Sequence, residues 1–82
     1  MTILEAYLNQ QLPVLTSVDT QDLPYWDTIE RHVVLVIGID LNTVYVNDPA
    51  FATAPQSVER RVFESAWLRR DYVYGVLQLK SE

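Results

Sequence analysis

Residues 33 to 39, Val33-Val34-Leu35-Val36-Ile37-Gly38-Ile39, form the longest stretch of the chain without a polar side chain. Its length suits a strand and falls well short of the roughly 18–20 apolar residues of a membrane span. A strand without polar alternation is normally covered on both faces. Ahead of it, Thr2 and Glu5 have capping-box spacing, and Ile3, Leu4, Tyr7 and Leu8 share one helical face, which predicts a helix over 2–11. Leu12-Pro13 ends that helix, and Val14 to Val18 reads as a short strand. Asp19 to Glu30 is a polar loop interrupted by Leu23-Pro24-Tyr25-Trp26. Asp40 to Thr43 supplies turn chemistry, and Val44 to Asp48 returns antiparallel until Pro49 stops it. Ser57-Val58 leads into a helix from Glu59 to Arg69 with Val62, Phe63, Ala66 and Trp67 as its apolar stripe, and Tyr72 to Leu79 is the last strand.

The expected order is helix, three strands, helix, strand: an α+β fold with a small, mostly antiparallel sheet and two helices. Two helices cover one face of such a sheet. The other face of the Val33–Ile39 strand is then bare in a monomer, and either a second copy or further polypeptide is expected to cover it.

Eighty-two residues make a single domain, 1–82. With no Cys and one His, neither a disulfide, a zinc site, a cofactor site nor thiol catalysis within the chain is expected. Small domains without such aids often self-associate. The net charge of −5 argues against a nucleic-acid partner. Arg60-Arg61 and Arg69-Arg70 read as a solvated helix face with ion pairs. With no apolar span and no basic, signal-like N-terminus, the expected location is the cytoplasm and no membrane partner is expected.

The candidate chemistry lies at two strand ends. His32 opens the apolar strand and Asp48 closes the next. They meet only if they point to one face. A two-residue loop at Leu41-Asn42 sets Asp48 opposite Leu35, away from His32. A three-residue loop, Asp40 to Asn42 with Asn42 left-handed, sets Asp48 opposite Val34 and diagonal to His32. If paired, the carboxylate accepts the Nδ1–H and leaves Nε2 free to take a proton. Such a pair activates a nucleophile without replacing one. Thr16, Ser17, Thr43 and Ser57 are available hydroxyls, but none sits in a glycine-flanked elbow. Each residue also has a plain structural use. Asn47-Asp48-Pro49 is good turn chemistry, Gly38 allows close packing or a bulge, and Tyr25-Trp26 is either a loop anchor or a binding surface.

The runs His32 to Asp40 and Val44-Tyr45-Val46-Asn47-Asp48-Pro49 resemble the His strand and Asp-Pro strand of the C39-like peptidases, which are papain-fold cysteine peptidases. Leu8 to Val14, the Phe63–Trp67 helix and the Tyr72–Leu79 strand follow the same order. The resemblance implies the sheet lobe, the C-terminal half of such a domain, with His32 as general base and Asp48 as its orienting partner. It also implies that the oxyanion glutamine and the nucleophilic cysteine belong to a helical lobe not contained in these residues.

Three functions fit. The chain is a non-catalytic C39-like module that persists as a homodimer and acts through binding. Alternatively it is the base-bearing half of a split or truncated peptidase, needing a partner chain for Gln and Cys, with a peptide substrate only once completed. The last is an unrelated small acidic binding protein.

Overall fold

The computed structural model describes residues 2–51 and 54–76. Five strands, β1 (Val14–Asp19), β2 (Arg31–Ile39), β3 (Thr43–Asn47), β4 (Gln56–Glu59) and β5 (Tyr74–Val76), join two helices, α1 (Thr2–Leu8) and α2 (Arg60–Leu68). The sheet order is β4-β3-β2-β1-β5 and every pairing is antiparallel. The α+β class therefore holds. The β4 strand escapes a sequence reading because Gln-Ser-Val-Glu has little strand character; its backbone pairing to β3 makes it a strand. Among the described residues no helix is long and apolar enough to cross a membrane.

Side-chain alternation builds one core. Val14 and Val18 of β1, Val34 and Val36 of β2, Val44 and Val46 of β3 and Val58 of β4 all point to one face and are buried. Leu4 of α1 and Phe63, Ala66 and Trp67 of α2 close over them. Ile3, expected on the apolar side of α1, lies outward and exposed. On the opposite face Val33 and Ile37 remain 47% and 38% exposed, with Leu15 and Leu35 half-buried. Among the described residues the apolar run of β2 is thus fully buried on the face under the helices and partly exposed on the other.

Arg60 fixes both helices against the hairpin of β2 and β3. Its guanidinium donates to Glu5 Oε1 at 2.9 Å and to the Asp40 carbonyl at 2.9 Å, while its amide donates to the Asn42 carbonyl at 2.9 Å. Arg69 pairs with Asp22, so one arginine of each expected pair, Arg60 and Arg69, forms an ion pair with a residue from elsewhere in the chain. Trp67 Nε1–H donates to the Val73 carbonyl at 3.0 Å and ties the chain leaving α2 to the core.

Both helices end in the same way. At the end of α1, Leu12 N–H bonds the Tyr7 carbonyl at 3.0 Å and Gln11 N–H bonds the Leu8 carbonyl at 2.9 Å. At the end of α2, Tyr72 N–H bonds the Trp67 carbonyl at 3.1 Å and Asp71 N–H bonds the Leu68 carbonyl at 2.9 Å. This is the Schellman closure, which needs a left-handed residue. Gln11 at φ 61° and Asp71 at φ 56° occupy that place. Hence α1 stops at Leu8, three residues short of its sequence-based end. Tyr72 is also left-handed, at φ 55°, so β5 starts at Tyr74 and not at Tyr72; the expected continuation through 77–79 lies outside the described residues.

A non-glycine residue in this conformation is strained by about 1 kcal/mol. Gln11→Gly should therefore raise unfolding free energy by about 0.5–1 kcal/mol in urea titration, with an unchanged denaturant slope.

Candidate active site

The register of the β2–β3 hairpin decides whether His32 and Asp48 meet. The loop is the two-residue one at Leu41-Asn42, closed by the Asp40 N–H to Thr43 carbonyl bond at 2.9 Å. Asn42 is not left-handed; the Asp40 carboxylate holds the turn by accepting the Asn42 and Thr43 amides at 3.1 and 2.8 Å. Taken alone, this loop would place Asp48 opposite Leu35. A bulge between Val36 and Gly38 corrects the phase, since Gly38 pairs Tyr45 while Val36 pairs Val46. Ile37 is the extra residue. Beyond it Leu35 pairs Asn47, so the next position, Asp48, falls level with Val34 on the face of His32. Gly38 follows the extra residue, and an added Cβ there would make only ordinary contact, at 3.4 Å, with the Tyr45 ring.

His32 Nε2 lies 2.6 Å from Asp48 Oδ1. The nitrogen that meets the carboxylate is thus Nε2, not the Nδ1 expected from sequence reasoning. The reason is placement: His32 reaches Asp48 from the diagonal position, so the far end of its ring arrives first. Among the described residues Nδ1 has no hydrogen-bond partner. The His32 side chain is 18% exposed and that of Asp48 fully enclosed.

Asp48 accepts four hydrogen bonds. Oδ1 takes His32 Nε2 and the Ala50 amide, the latter at 2.9 Å. Oδ2 takes the Tyr25 hydroxyl and the Trp26 indole N–H, each at 2.9 Å. The Ala50 bond caps a 3-10 turn, Pro49–Phe51, with Pro49 in the first position, where its missing N–H does no harm. The turn chemistry of Asp48-Pro49 and the pairing with His32 are therefore both real and use the same oxygen. Burial opposes ionisation of Asp48, but the bonds from Trp26, His32, Ala50 and Tyr25 outweigh it and hold the carboxyl below its ordinary pKa. Burial, then the bond to Asp48 and its charge, pushes the Tyr25 phenol up, so Tyr25 stays a donor.

The loop between β1 and β2 delivers the two aromatics. Thr20, buried, clasps its ends: the hydroxyl donates to the Thr28 carbonyl at 2.6 Å and accepts the Glu30 amide at 2.8 Å. Leu23 plugs the loop into the core, and the Arg69–Asp22 pair holds it from outside. The Trp26 ring stands edge-on to His32 with centroids 4.8 Å apart, and Phe51 packs edge-on against Tyr25 and Trp26 at 5.2 and 5.3 Å.

The model of the family described as "Peptidase_C39 like family" matches residues 2–74. The chain belongs to the peptidase C39-like family. A crystal structure from Bacillus anthracis, assigned as a C39-like peptidase, is similar in fold, with a TM-score of 0.78 and 21% identity. The match covers 99% of this chain and 48% of that one, so the C39-like chain here spans about half the length of that structure. Comparison with curated proteins gives no match.

Of the residues singled out from sequence, the C39-like fold brings four together: His32, Asp48, Tyr25 and Trp26. The contact of both aromatics with Asp48 joins a loop to a strand end 22 and 23 residues away, and nothing in local pattern signals it. Thr20 and Phe51 were missed. Phe51 was legible in principle, three residues after the capping Asp48; Thr20 was not.

The lowered Asp48 pKa has a sign. A carboxyl depressed in the folded state contributes stability that is complete above its ordinary value of 3.8 and is lost as pH falls through the folded value. Asp48→Asn should flatten the acid limb of the stability curve, measured by denaturant unfolding from pH 6 downward. Asp48→Ala, which strands several buried donors, should destabilise the chain by about 3 kcal/mol at pH 7.

Proposed function

We propose that these residues form the base-bearing lobe of a thiol-peptidase site, inert towards peptides on its own. The nucleophilic Cys and the oxyanion donor come from a polypeptide segment outside the 82 residues. The observation that carries this reading is the buried Asp48 bonded to His32 Nε2, with Nδ1 lacking a hydrogen-bond partner among the described residues. With Asp48 ionised, Nε2–H donates to it and the lone pair sits on Nδ1. A thiol brought to that side would lose its proton to Nδ1, and Asp48 would stabilise the resulting imidazolium. No Cys occurs in the chain, so the nucleophile has to be delivered. The half-length match to a C39-like structure supports a second half as its source.

The test is reconstitution. The chain is mixed with the polypeptide encoded immediately upstream of it and assayed on a fluorogenic peptide pool with and without iodoacetamide. Cleavage is expected only in the mixture, abolished by alkylation and lowered at least 100-fold by His32→Ala. Turnover by the isolated chain, or turnover indifferent to His32→Ala, would overturn the reading.

The open outer face favours a second reading, a non-catalytic homodimer acting through binding. Val33 and Ile37 stand exposed beside Leu35 and Leu15 there, without cover from either helix. On this reading sedimentation equilibrium returns twice the chain mass, and Val33→Lys with Ile37→Lys returns the monomer without unfolding it. A wild-type monomer at 100 μM removes this reading. The third possibility, an unrelated acidic binding protein, falls with the family match.

A further inference from the structure

Asp48 Oδ1 and Oδ2 are served by different parts of the chain. The Oδ1 partners come from its own strand end and from β2, through the Ala50 amide and His32. The Oδ2 partners both come from the clasped loop, through the Tyr25 hydroxyl and the Trp26 indole. A carboxylate bound on one oxygen alone can rotate about its Cβ–Cγ bond and present either oxygen to the imidazole. One whose second oxygen is gripped by two donors of fixed direction cannot. A carboxylate oxygen offers about two lone-pair sites, and on Oδ2 the indole N–H and the phenol fill both. The edge of the same indole rests against the imidazole and limits the rotation of that ring.

We infer that Tyr25 and Trp26 are positioning residues: by occupying Oδ2 they commit Oδ1 to His32 and fix the imidazole with its proton on Nε2 and its lone pair on Nδ1. This role rests on the reading of the pair as the base half of a thiol site. It assigns the β1–β2 loop a part in setting the base, where sequence patterning offered only an anchor or a binding surface. It also explains why a loop of this length is held at so many points. Thr20 clasps its base, Leu23 enters the core, Asp22 pairs with Arg69, and Phe51 supports both aromatic rings.

The experiment is nitrogen-detected NMR of the ring of His32 in the full chain, with the Asp48 carboxyl carbon followed through an acid titration. Neither readout needs a nucleophile or turnover. In the wild type the neutral ring is expected as the single Nε2–H tautomer. Tyr25→Phe removes one hydroxyl and keeps the ring that Phe51 supports; the Asp48 midpoint should rise by about half to one pH unit. In Tyr25→Phe with Trp26→Phe the midpoint should rise further and both tautomers should appear. Should the double variant fail to fold, the single Tyr25→Phe midpoint decides. An Asp48 midpoint and a tautomer ratio unchanged in folded variants would show that the two aromatics only pack, and would overturn the inference. Failure of reconstitution with these shifts intact would remove the peptidase reading and leave the positioning intact.

Discussion

One buried carboxylate organises this molecule. Asp48 is enclosed at the end of β3, where an unpaired charge would be prohibitively unfavourable, and the fold answers with four donors. Those donors come from the β1–β2 loop, the first residue pair of β2 and the turn after β3. Each of these segments is therefore placed by its need to reach the same two oxygens. The network is complete, with no buried side-chain polar atom left unpaired among the described residues. A satisfied network of this kind rigidifies its surroundings, whereas a partly satisfied one would destabilise them.

The rest of the site follows from register. In a strand, a shift of one residue turns every side chain to the opposite face. The two-residue loop at Leu41-Asn42 and the extra residue at Ile37 act against each other in phase, and only together do they set Asp48 on the same side as His32. The bulge also lets β2 hold Val34 and Val36 inward while the hairpin tip closes regularly, with Arg60 binding the tip to α1 and α2. Core, hairpin and dyad are thus settled by one set of backbone bonds.

In the proposed function the base and its supports are assembled within the 82 residues, and the thiol is delivered from elsewhere, since the chain contains no Cys. The apolar outer face of the sheet is open over the same central strand that carries His32. The site and the exposed face share β2 but lie on its opposite sides, since His32 and Asp48 point with Val34 while Val33 and Ile37 point away.

The α+β class, the apolar stripe of α2, the strand identities of β1 to β3 and the candidacy of His32 and Asp48 were determined by local sequence, because periodicity and turn residues act over a few positions. Local pattern also pointed to the partly exposed second face, since two short helices cannot wrap a strand that is apolar throughout. Only tertiary structure decided the rest. The four-residue β4 exists through its pairing with β3, and the helix ends through left-handed residues that are not glycine. Sequence reasoning left both faces open for Asp48, tying each to a loop length; the structure joins the two-residue loop to the His32 face through a bulge, because bulges arise from strand pairing and turn residues do not announce them. The ring nitrogen that meets the carboxylate, and the grip of Tyr25 and Trp26 on its other oxygen, depend on contacts between segments about twenty residues apart. No local spacing encodes such contacts; the closure of the sheet and its loop creates them.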